Sequence, residues 1–151
     1  MQFEVARPYS GEREALWMRV SDVEDVPKYW HGTKELAVIS KSGDVTRAKV
    51  RFAFGGTGIA EYEVRQAERA MVVKYVKGPF VGTQTIWLDE AGIRAKWDVR
   101  FHGVFEVVSR WNEGHFREGS IHALDRLCQG LEGSPQGRRS VDGEGPALDS
   151  P

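Results

Sequence analysis

The sequence predicts an α+β domain in which one face of an antiparallel sheet is covered by a long C-terminal helix. Three observations carry this. Residues 34–103 alternate apolar and polar side chains in short runs, the period of half-buried strands. The runs are separated by turn-like segments too short for crossovers, so neighbouring strands run antiparallel. Helical spacing then returns after Gly103, where Phe116, Ala123, Leu124, Leu127, Cys128 and Leu131 form one apolar stripe.

The elements follow in order. Gln2 to Arg7 reads as a short extended segment ended by Pro8. Ser10 is placed to cap a helix running to Val20, with Glu12 and Glu14 near its positive end. A shorter helix over Val23–Trp30 follows the Ser21-Asp22 break. Strands are expected at 34–41, 45–54, 58–66, 71–77, 80–88 and 93–103. Their separators are Ser42-Gly43-Asp44, Gly55-Gly56-Thr57, Ala67-Glu68-Arg69, Gly78-Pro79 and Asp89-Glu90-Ala91-Gly92. A final helix from Phe105 to Leu131 would be about 40 Å long. Gly114 and Gly119 within it point to a kink or to a close approach to the sheet. The domain spans residues 1–132. Residues 133–151, where Gly, Ser and Pro fill 10 of 19 places, are expected to be a flexible tail.

Charge and composition exclude several functions. The 151 residues carry 21 Lys and Arg against 22 Asp and Glu, a net charge of -1, so no nucleic-acid partner is expected. The single cysteine, Cys128, rules out an internal disulfide framework and multi-cysteine zinc sites. Apolar runs are too short for a transmembrane segment. The Met1-Gln2-Phe3-Glu4-Val5 start lacks the features of a signal peptide, and a cytoplasmic location is expected. The sequence leaves the oligomeric state open, a homo-oligomer included.

Hairpin pairing carries one face across the sheet, because directly opposed residues point the same way. Phe101, Val99 and Trp97 share a face with Phe80, Gly82, Gln84 and Ile86. Met71, Val73 and Tyr75 align with Val64, Tyr62 and Ala60, then with Phe54, Phe52, Val50 and Ala48, and finally with Ile39 and Ala37. The opposite face is rich in Arg, Lys and Glu and is expected to be wet. The covered face mixes large aromatics with Ala and Gly and includes Gln84, Tyr62 and Tyr75. Burying an amide without partners costs roughly 2–7 kcal/mol, so Gln84 must bond Tyr75 in a solid core, lie near a strand end, or meet solvent or a ligand.

Two motifs carry a family resemblance. Ala15-Leu16-Trp17-Met18-Arg19-Val20-Ser21-Asp22 leading to Tyr29-Trp30-His31-Gly32, and Gly119-Ser120-Ile121-His122-Ala123-Leu124-Asp125-Arg126-Leu127, are similar to the first and closing helices of the START/SRPBCC superfamily. That superfamily includes birch-pollen-allergen-like proteins, polyketide cyclases and lipid-transfer domains. The resemblance runs from about Phe3 to Glu132, and its motifs are packing motifs. It implies a helix-grip fold: a seven-stranded curved antiparallel sheet wrapped round the C-terminal helix, with two short helices after the first strand. It also implies a hydrophobic ligand between sheet and helix.

Chemistry-bearing clusters are sparse. His115 and His122 lie about 10.5 Å apart along one helix, too far to share a zinc ion directly, and no metal is expected. Cys128 falls in the apolar stripe, and no serine stands in a nucleophile elbow. Gly55-Gly56-Thr57-Gly58 joins two strands and lacks the lysine of a phosphate-binding loop. Candidate acid–base groups are Tyr62, Tyr75, His115 and His122, with no inward Asp or Glu to pair them. The leading expectation is binding of a small hydrophobic molecule, a lipid or a polycyclic or polyketide-like compound, with no cofactor. Its contacts would come from Phe52, Phe54, Tyr62, Tyr75, Phe80, Gln84, Trp97, Phe101 and Phe116, with Trp30 and Tyr29 as further wall or entrance residues. The alternatives are a cyclase or dehydratase using cavity Tyr or His groups, and a protein-interaction module with a collapsed cavity.

Overall fold

The computed structural model describes residues 1–132, and within them the side chains of all but 105 and 107–112. The segment read as a tail, 133–151, lies outside the described residues. Seven strands form one antiparallel sheet: β1 (Gln2–Pro8), β2 (Thr33–Ser42), β3 (Val45–Phe52), β4 (Thr57–Arg65), β5 (Ala70–Lys77), β6 (Phe80–Leu88) and β7 (Gly92–Phe101). Their order is β1-β7-β6-β5-β4-β3-β2, a meander closed by the first strand returning beside the last. Helices α1 (Arg13–Val20) and α2 (Val26–Tyr29) follow β1, and α3 (Val104–Cys128) packs on β1 and β7. This is the helix-grip α+β architecture.

The alternation that predicted the covered face is realised in the register. Phe80 pairs with Phe101, Gly82 with Val99 and Gln84 with Trp97. Across β4 and β5, Ala60 meets Tyr75, Tyr62 meets Val73 and Val64 meets Met71. Gly82 adopts a φ of +135°, and a Cβ there would fall 2.2 Å from the Asp98 carbonyl oxygen. A side chain could not fit where the two strands close on each other, so glycine is required at this point.

Three expectations are corrected. Ser10 does not cap α1, whose N-cap is Glu12 without a side-chain bond. The Ser10 amide donates instead to Glu132 at 3.2 Å, and the preceding Tyr9 amide donates to Ala91 O, so the chain is held on the sheet before the helix starts. The second helix is broken into a 3-10 turn at Val23–Asp25 and the single-turn α2. Ala37 and Ile39 do not share the covered face. Bulges at Thr33/Glu35 and Val38/Ser40 shift β2, so that Leu36 and Val38 oppose Val50 and Ala48. One inserted residue moves a strand's side chains to the other face.

The far end of α3 is tied down by charge. Arg7 reaches Asp125 at 2.8 Å and Glu132 at 3.0 Å, and the Arg7 guanidinium holds the Glu132 carboxyl below its usual range. Ala123, Leu124, Leu127 and Cys128 are buried against the sheet and α1. Burial pushes the Cys128 thiol up to about 11, which fits a packed rather than a reactive sulfur.

Candidate ligand-binding cavity

Between the sheet, the α2 end and α3 lies a cavity of about 380 Å³. That lies in the usual range for small-molecule sites, roughly 300–1,000 Å³. Phe52, Tyr75, Phe80, Gln84 and Trp97 line it from the sheet, while Phe116, Gly119 and Ser120 line it from α3. Its mouth is framed by Trp30, His31, Gly32 and Thr33 after α2, by Ala53 and Phe54 in the β3–β4 turn, and by His115 and Arg126 on α3.

The sheet wall is a continuous aromatic surface. Phe80 is its hub, with ring centroids 4.7 Å from Tyr75, 5.0 Å from Phe52 and 5.2 Å from Phe101. Tyr75 and Trp97 lie nearly parallel at 5.8 Å, and Phe116 meets Trp97 edge-on at 5.7 Å. Such rings offer flat apolar area and edge-to-face geometry to a flat guest.

Polar groups in this wall are few, and most are committed. The Trp97 indole N–H donates to Ser120 Oγ at 3.0 Å, and Ser120 donates to Phe116 O at 2.8 Å. The Tyr75 hydroxyl donates to Gln84 Oε1 at 2.9 Å. The Gln84 Nε2 is buried and makes no hydrogen bond to any described residue. Gln84 therefore bonds Tyr75, as the sequence allowed, but does so at the wall of a cavity and not in a solid core. Burial pushes both phenols, Tyr75 and Tyr62, above the usual tyrosine range and holds them protonated.

Of the ligand-contact residues expected from sequence, Phe52, Phe54, Tyr75, Phe80, Gln84, Trp97 and Phe116 line the cavity. Phe54 does so from the turn beyond β3 and is half exposed, since the strand ends at Phe52. Tyr62 and Phe101 do not line it. Tyr62 is 1% exposed and one strand removed behind Tyr75, with its hydroxyl unpartnered among the described residues. Phe101 is covered by Phe80 and Phe116. Trp30 frames the mouth, whereas Tyr29 is packed into the core and does not line the cavity. His115 sits at the mouth, whereas His122 is exposed and points away, being turned further round α3. No group of three or more His, Cys, Asp or Glu among the described residues could hold a metal.

The sequence reading missed Val26, His31, Gly32, Thr33, Ala53, Gly119, Ser120 and Arg126. Those on α3 were legible in part, because Gly119 and Ser120 follow Phe116 at helical spacing. Gly114 and Gly119 point by sequence to a kink or to a close approach to the sheet, and the second of these is not what the structure has at Gly119. Instead a Cβ there would meet nothing within 4 Å.

This geometry is a START/SRPBCC-like fold, and solved structures agree. The chain matches a protein from Thermus thermophilus with a TM-score of 0.72 and 14% identity, over 84% of this chain and 94% of the other. It matches the ZhuI aromatase/cyclase from a Streptomyces species with a TM-score of 0.69 and 10% identity, over 85% and 91%. A START superfamily protein from Mycobacterium smegmatis matches with a TM-score of 0.63 and 17% identity, over 86% and 98%. No protein-family model matches the sequence, and no curated protein matches it either. No helix among the described residues is long and apolar enough to cross a membrane.

Proposed function

We propose that this protein binds a small hydrophobic molecule, lipid-like or polycyclic, between its sheet and α3. The observation that carries the reading is the Gln84 amide: a buried hydrogen-bond donor without a partner among the described residues, set in an otherwise aromatic wall. A ligand carbonyl or hydroxyl would accept from Nε2, while Tyr75 holds the amide in orientation through Oε1. Apolar walls supply affinity and the single donor supplies orientation.

Two features support binding over the alternatives. An interaction module with a collapsed interior does not need a cavity of about 380 Å³. A cyclase using a wall tyrosine as proton donor needs a phenol easier to ionise, and burial drives Tyr75 the other way. The neighbours named as an aromatase/cyclase and a START protein are compatible with either a binding or a catalytic use of the fold.

Fluorenone and fluorene, which differ by one carbonyl, test the role of Gln84. Fluorenone is expected to bind about fivefold more tightly, the factor for ~1 kcal/mol of hydrogen bond. In Gln84→Leu this preference should vanish while fluorene still binds. Equal affinities in the unaltered protein, measured by calorimetry, would remove Gln84 from the account.

A further inference from the structure

The polar groups at the cavity mouth differ in kind from the donor in its wall. The cavity lining contains Arg126, His31 and His115 and no Asp or Glu among the described residues. Arg126 makes a single hydrogen bond among the described residues, from Nη1 to the Tyr29 carbonyl at 2.8 Å. That bond ties α3 to the end of α2 and fixes the guanidinium at the rim. Its Nε–Nη2 edge has no partner among the described residues.

Seven arginines elsewhere among the described residues are committed to acids. Arg7, Arg47, Arg51, Arg65, Arg69, Arg94 and Arg117 each pair with a carboxylate. Arg126 differs from them in two ways: it lines the cavity, and no described acid neutralises it. The planar fork of a guanidinium matches a carboxylate through two parallel N–H bonds, and the Nε–Nη2 edge is one such fork.

Taking the cavity as the ligand site proposed above, we infer that the ligand is an amphipathic acid. Its rings or chain lie on the aromatic wall, and its carboxylate meets Arg126 at the mouth. Neutral hydrophobic compounds of the same shape bind more weakly. The Gln84 donor and the Arg126 fork then read opposite ends of one molecule.

Pyrenebutanoic acid and pyrenebutanol, a fluorescent pair that differs in the acid group, separate this inference from the cavity reading. The unaltered full chain at neutral pH is expected to bind the acid about tenfold more tightly, the factor for one charge-assisted hydrogen bond. Arg126→Gln should lose that preference and keep its affinity for the alcohol, which also reports that the variant is folded. Arg126→Lys, keeping charge without the fork, should fall between them. Equal binding of acid and alcohol by the unaltered chain would overturn the inference and leave the cavity reading standing. A preference retained in Arg126→Gln would overturn it too. Failure of both probes to bind the unaltered chain would overturn both readings together.

Discussion

Gly119→Phe is expected to weaken binding of hydrophobic probes about 100-fold while leaving the protein folded. Gly119 lies on α3 and lines the cavity, and a Cβ built there would meet nothing within 4 Å. A benzyl group placed there would compete with a ligand for the cavity space that Gly119 lines. Replacing glycine within a helix also removes a conformational cost of several tenths of a kcal/mol. A guest forced to overlap this ring would lose about 100-fold in affinity, corresponding to ~2.7 kcal/mol, the upper range for overpacking. Gly119→Ala is the matched control: its methyl leaves the cavity largely open, so binding should persist while stability rises by about 1 kcal/mol. Pyrenebutanol titration and thermal melts of both variants give the answer. Full affinity in a folded Gly119→Phe would mean that the probe binds elsewhere.

The largest effect on stability is expected at Trp17. This residue is 1% exposed, and its indole N–H donates to Gln66 Oε1 at 2.7 Å. The Arg69 guanidinium lies over its ring, 5.8 Å from the centroid. Trp17 thus joins α1 to the turn between β4 and β5, and it does not line the cavity. Trp17→Ala should cost about 3–5 kcal/mol, from lost transfer energy and a residual hole. Against a total stability of roughly 5–15 kcal/mol, this is a large share. Trp17→Phe keeps most of the apolar volume and leaves Gln66 Oε1 without its donor, so its cost should be nearer ~1 kcal/mol. Urea midpoints measure both. A loss under about 1 kcal/mol for Trp17→Ala would show that α1 contributes little to the core.

The covered face was legible because period-two alternation and short turns fix register from β4 to β7. The pairing of β3 with β4 is shifted by an even number of residues from the one its turn implies, so β3 keeps its face. Phe80, Gln84 and Trp97 needed nothing beyond strand counting. β2 defeated the same method, since its two bulges leave no mark in the alternation of Leu36, Ala37, Val38 and Ile39. Tyr62 and Phe101 show a second limit. Facing the interior is a property of a strand, whereas lining a cavity depends on which neighbours fill the space in front, and here Tyr75, Phe80 and Phe116 do so. Arg126 marks a third. On a helical wheel it falls at the flank of the apolar stripe and resembles a surface cation. Only the closeness of α2, through the Tyr29 carbonyl, turns it toward the mouth.

The central claim is that the space between sheet and α3 receives the ligand, and the most direct test is a 1H–15N correlation spectrum recorded during titration with pyrenebutanol. The side-chain amide of Gln84 and the indole N–H groups of Trp97 and Trp30 report from the wall and the mouth. These signals should shift together and saturate at one equivalent, with ring-current shifts largest at Trp97 and Gln84, while the Trp17 indole stays fixed. Shifts confined to the exposed residues of β2, with Gln84 and Trp97 unmoved at saturation, would contradict the account.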